Sequence, residues 1–116
     1  MPDSLLELRD ALRAFAAERD WDQFHSPRNL ATALAVEAAE LLEPFQWLTE
    51  EQSRDPAPAT RAAIEEELAD VLLYLVRLAD KLDVDLNAAA RAKIVRNAGK
   101  YPVDKARGSS RKYDAL

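Results

Sequence analysis

The chain has 116 residues, 48% hydrophobic and 32% charged, with a net charge of -5, which is enough for one domain with one core. No apolar run approaches the roughly 18 residues of a membrane-spanning helix. With no Cys and a single His, disulfides, thiolate metal sites and sites needing two His from one chain are excluded. Residues 1–90 carry 8 Lys+Arg against 19 Asp+Glu, whereas residues 91–116 carry 8 against 2. An acidic body with a basic end fits a protein that holds a metal and a polyanion together, and fits a solvated acidic domain with a basic tail as well. The beginning, MPDSLLEL, lacks the basic-then-apolar form of a signal peptide, so the expected location is the cytoplasm.

Ala, Leu, Glu and Arg dominate, and there are only two Gly, a composition that favours helix throughout. The first helix is expected from Ser4 to Arg19, with Ser4 as N-cap, Glu7 three residues on, and Leu5, Leu8, Leu12 and Phe15 as its apolar stripe. The segment Asp20-Trp21-Asp22-Gln23-Phe24-His25 breaks that pattern. Ser26 then caps a second helix with Pro27 at its first position; it runs to Glu43, where Pro44 ends or kinks it. Thr49 to Ala59 reads as a polar loop in which Thr49-Glu50-Glu51-Gln52 makes a helical turn. A third helix is expected from Thr60 to Leu82. Its Val71–Val76 stretch is apolar on every face, which calls for burial on all sides and, in so short a chain, for a subunit interface. The fourth helix spans Asp85 to Lys100 and stops at Pro102. The domain is therefore expected over residues 1–102, with an irregular basic tail over residues 103–116.

The second helix poses a question. Leu30, Leu34 and Leu41 lie at i, i+4 and i+11, and the i+7 position that completes the stripe is Glu37. Glu40 follows one turn later, and the third helix repeats the device with Glu67 and Asp70. Residues at i and i+3 share a helical face, so two helices each offer an acid pair beside apolar surface. Ionised groups there are poorly hydrated and repel one another, and a divalent cation relieves both problems. An all-oxygen donor set suits Mg²⁺ or Mn²⁺. A solvated acidic helix face, with Glu65-Glu66-Glu67 in a dipole-stabilised first turn, is the alternative. A carboxylate di-iron bundle needs Glu-x-x-His on its helices, and the single His lies outside both.

The pairs Glu37-x-x-Glu40 and Glu67-x-x-Asp70 on successive helices resemble the signature of the MazG-like all-α nucleoside triphosphate pyrophosphohydrolases. Around them, AERDWDQFHSPRNLA, ELLEPFQW, EEELADVLLYLV and SSRKY look like the dCTP pyrophosphatase branch of that superfamily, over nearly the full chain. The resemblance implies a four-helix bundle assembling into a homotetramer. It implies hydrolysis of deoxynucleoside triphosphates, dCTP and 5-modified dCTP above all, to monophosphate and pyrophosphate. By the same pattern Glu37, Glu40, Glu67 and Asp70 are the Mg²⁺ ligands and the catalytic set, and one of them activates water.

Trp21 and Trp47 match tryptophans that contact the base in this branch; core or interface packing is their plain alternative. His25 matches a position beside the same pocket, against a structural role in the Phe24-His25-Ser26-Pro27 turn. Tyr74, one turn after Asp70, either reaches the deoxyribose or packs in the core. Lys93 and Asn97, in a Lys-x3-Asn element ahead of Tyr101-Pro102, are assigned by the resemblance to the triphosphate or its metals, against an ordinary basic solvent face. Arg13 stands where the branch carries a His, and a long cation near the base favours carbonyl acceptors. No membrane and no stable nucleic-acid partner are expected. The competing readings are a pyrophosphohydrolase for other or damaged nucleotides, and a non-catalytic helical interaction module.

Overall fold

The computed structural model describes residues 3–116, and among them there is no β-strand. Six α-helices follow in order: α1 Ser4–Glu18, α2 Pro27–Leu42, α3 Glu50–Arg54, α4 Pro58–Lys81, α5 Leu86–Lys100 and α6 Val103–Ala106. Short 3-10 turns lie at Asp22–Phe24, Glu43–Phe45 and Tyr113–Ala115. Contacts divide the chain into two compact units, Met1–Val84 and Asp85–Leu116.

The first unit is built on α4, which packs along α2 and, less extensively, along α1. Leu30 from α2, Ala16 from α1, and Ile64, Val76 and Ala79 from α4 are its buried apolar residues. Local chemistry explains where the helices start. Ser26 accepts a hydrogen bond from the Asn29 N–H at 3.1 Å, with Pro27 opening α2. Thr49 and Gln52 form a reciprocal capping box that starts α3. For α1 the cap is Asp3, which accepts from the Leu5 N–H at 2.9 Å; Ser4, expected to cap, is the first helical residue. Proline also moves the start of α4, which begins at Pro58 rather than Thr60 because a proline at the first position sacrifices no helical hydrogen bond.

Two aspartates close helices in the left-handed conformation. Asp20 has φ 53° and Asp83 φ 54°. Trp21 N–H reaches back to Ala16 O at 2.9 Å, and Val84 N–H to Ala79 O at 2.8 Å, the paired turn that usually uses glycine. The turn at Asp20 folds the chain back so that Trp21 meets Phe15 edge-on, with ring centroids 5.6 Å apart.

The second unit contains α5, capped by Asp85, and the basic C-terminal segment. That segment is more ordered than its composition predicts. α6 forms directly after Pro102, Tyr113 meets Tyr101 edge-on at 6.2 Å, and the Lys100 ammonium lies over the Tyr113 ring at 4.9 Å. The aromatic contact and the cation over the ring supply the local hydrophobic anchor that a Gly-Ser-Ser sequence lacks.

Candidate active site

The α2–α4 seam brings the two acid pairs together. Oxygens of Glu37, Glu67 and Asp70 lie within 4.8 Å of one another, and all three residues are half-buried. Glu37 Oε2 and Glu67 Oε2 are shielded from water and have no hydrogen-bond partner in the protein. Burial, reinforced by the neighbouring carboxyls of Glu40, Asp70 and Glu67, pushes the Glu37 carboxyl up to about 7. Orphaned buried carboxylate oxygens from several residues, with no Lys or Arg paired to them, fit a hard divalent cation. Glu40 stands outside the set of three. It lines a neighbouring open cavity of about 450 Å³ with Glu43, Pro44, Thr60 and Glu67.

Asp70 has a second neighbourhood. It lines a cavity of about 150 Å³ walled by Leu12, Phe15, Trp21, His25, Leu73, Tyr74 and Arg77. Three residues singled out in the sequence, Trp21, His25 and Tyr74, thus line one cavity with a carboxylate of the acid cluster. Trp21 and His25 are edge-to-face at 6.4 Å, and the Arg19 guanidinium sits 3.7 Å over the Phe15 ring behind them. A small, largely apolar recess that presents the rings of Phe15, Trp21, His25 and Tyr74 beside a carboxylate cluster suits a planar heterocycle joined to an anion.

Trp47 is not in this cavity. It follows the proline-containing turn Glu43–Phe45 and is 86% exposed. Lys93 and Asn97 lie one turn apart on α5, both exposed.

Sequence reasoning missed Arg77. Its side chain is 7% exposed, and its hydrogen bonds fasten one end of the cavity. Nε donates to His25 Nδ1 at 3.1 Å, one terminal nitrogen to Asp22 Oδ1 at 2.8 Å, and the other to Asp80 Oδ2 at 3.4 Å. Lys81 also binds Asp22. The available signal was a lone arginine inside the apolar run VLLYLVRLA, where an unpaired cation is not tolerated. Arg13 differs from expectation as well. It donates to Asp80 through Nε at 2.8 Å and a terminal nitrogen at 2.5 Å, so its charge is engaged outside the aromatic cavity. Burial, then the Arg77 and Lys81 charges, hold His25 below its ordinary pKa, with Asp22 opposing.

Known proteins resemble this chain in sequence and fold. Residues 32–116 match the MazG-like family. Human dCTP pyrophosphatase 1 is 50% identical over 99% of this chain and 69% of its own length. The bovine dCTP pyrophosphatase 1 is 49% identical over 97% of this chain and 68% of its own. The crystal structure of a pyrophosphatase from Archaeoglobus fulgidus superposes with a TM-score of 0.81 at 38% identity, over 88% of this chain and 95% of that one. With acid pairs on facing helices and relatives across nearly its whole length, the chain belongs to the MazG-like family.

Proposed function

We propose that this chain is a Mg²⁺-dependent pyrophosphohydrolase acting on dCTP and 5-modified dCTP, yielding the monophosphate and pyrophosphate, and that it works as a cytoplasmic homotetramer on the free nucleotide pool. The observation that carries this reading is the double position of Asp70, in the carboxylate cluster and in the wall of the aromatic cavity. A base and sugar seated in that cavity have their phosphates directed at the acids. The relatives named dCTP pyrophosphatase 1 supply the choice of base.

Glu37, Glu67 and Asp70 would hold the cation, with Glu40 beside them. When bound, a divalent ion neutralises phosphate charge and lowers the pKa of coordinated water. Glu40, outside the set of three, is the carboxylate free to orient the attacking water and accept its proton, and the bond between the α- and β-phosphates is cleaved. Trp21 stacks on the base, Tyr74 packs against the deoxyribose, and Lys93 and Asn97 bind the phosphate chain. Trp47 acts on the base of a neighbouring subunit's substrate. Its exposure in the single chain, like that of Leu68, Leu72 and Leu75 along one face of α4, supports an assembly that covers them.

The test is a nucleotide panel with Mg²⁺, scored by product and by competitive kcat/KM for dCTP, 5-methyl-dCTP, dTTP, dUTP and dATP. Monophosphate plus pyrophosphate, with dCTP preferred at least tenfold over dTTP, is expected. Turnover on no nucleotide would leave the interaction module as the better reading.

A further inference from the structure

The Arg77–His25 contact has a chemical consequence. A guanidinium has only N–H donors and does not lose its proton in proteins, whereas a neutral imidazole has one donor nitrogen and one acceptor. Arg77 Nε lies 3.1 Å from His25 Nδ1, so Nδ1 must offer its lone pair and the ring proton must sit on Nε2. The guanidinium cannot swing aside to relax this demand, because Asp22 and Asp80 grip its other nitrogens and its side chain is 7% exposed. A doubly protonated ring would set one N–H against another.

We propose that Arg77 is a positioning residue that locks His25 as a neutral Nε2–H donor, and that this donor reads the acceptor edge of the nucleobase. The base-reading part rests on the proposed function; the tautomer does not. Cytosine carries two adjacent acceptors, O2 and N3. Thymine and uracil carry O2 but an N–H at position 3, which a fixed donor opposes. A site whose hydrogen-bonding group cannot change sign rejects the analogue that leaves it unpaired. The pocket thus discriminates cytosine from thymine with a side chain whose polarity is set by a residue at its opposite end.

The chain has one His, so long-range ¹H–¹⁵N correlation spectra of histidine-labelled protein at neutral pH, without nucleotide, report this ring alone. The wild type is expected to show a single neutral tautomer protonated on Nε2. Arg77→Met should populate the Nδ1–H form. An Nδ1–H ring or a tautomer mixture in the wild type would overturn the lock, whether or not the variant folds. In the second arm, His25→Leu should lower the dCTP to dTTP ratio of kcat/KM about tenfold or more, while His25→Gln, which places an amide N–H near the Nε2 position, keeps most of it. An unchanged ratio in His25→Leu would overturn the base-reading role. Wild-type protein that turns over neither nucleotide would overturn that role together with the proposed function, while the spectra decide the tautomer separately.

Discussion

Arg13 on α1 and Asp80 on α4 form a two-point ion pair across 67 residues of sequence, with nitrogen–oxygen distances of 2.8 and 2.5 Å. The Asp80 side chain is 9% exposed and also meets Arg77, whereas Arg13 is half in solvent. Removing Asp80 therefore leaves buried Arg77 with Asp22 as its one carboxylate partner and one terminal nitrogen unpaired, while removing Arg13 leaves Asp80 its second partner. Asp80→Ala should cost about 2 kcal/mol of stability and Arg13→Ala clearly less. In denaturant titrations the double variant should resemble Asp80→Ala alone. Simple additivity would mean that the pair is not a unit.

Glu37→Gln and Asp70→Asn keep side-chain size and remove ligand charge. Each should reduce kcat by more than the roughly 100-fold that outer-shell changes cost at metal sites, with the fold intact by circular dichroism. Each should also raise the melting temperature of the metal-free protein above pH 7, because a mutual repulsion is removed. Unfolded protein in both cases would show that the carboxylates serve the fold rather than a metal.

The same cluster predicts a pH dependence. Glu37 is raised from 4.5 to about 7 in the folded chain, so its contribution is fully present below pH 4.5 and is lost as pH rises through about 7. Asp80, held low first by its bond to Arg13, and Asp22, held low first by its bond to Lys81, act oppositely. Their contribution is present above 3.8 and is lost as pH falls through their lowered values. With EDTA, the melting temperature should peak in mildly acidic solution and decline toward pH 8. Adding Mg²⁺ should restore stability most at the alkaline end, where Glu37 is ionised. A metal-free melting temperature that climbs steadily from pH 5 to 8 would contradict this account.

Exposed Leu68, Leu72 and Leu75 recur at i, i+4 and i+7 on α4, a stripe that an isolated chain leaves wet. Light scattering should give four times the 13.0 kDa chain mass. Leu72→Glu should lower that mass. A variant that dissociates should lose base affinity along with Trp47→Ala if Trp47 serves a neighbouring subunit's site. A monomeric wild type at micromolar concentration would defeat the assembly.

Local chemistry made much of this protein legible from its sequence. Ser26-Pro27, Thr49-x-x-Gln52 and Asp85 mark helix starts wherever they occur, because caps act within one turn. Glu37, Glu40, Glu67 and Asp70 stood out because a carboxylate in an apolar stripe needs a reason that neighbouring residues do not supply. Arg77 and Arg13 were opaque for the complementary reason. Apart from Asp80, three residues beyond Arg77, their partners lie 52 to 67 positions away, and only the packing of α1 and the Asp22–Phe24 turn against α4 decides which acid meets which cation. The sequence by itself thus determined the four long helices, their acid pairs and the family. Tertiary structure alone decided that Asp70 faces both the acids and the aromatic cavity, and that Arg77 dictates where His25 carries its proton, because hydrogen-bond polarity depends on which groups meet and not on their order along the chain.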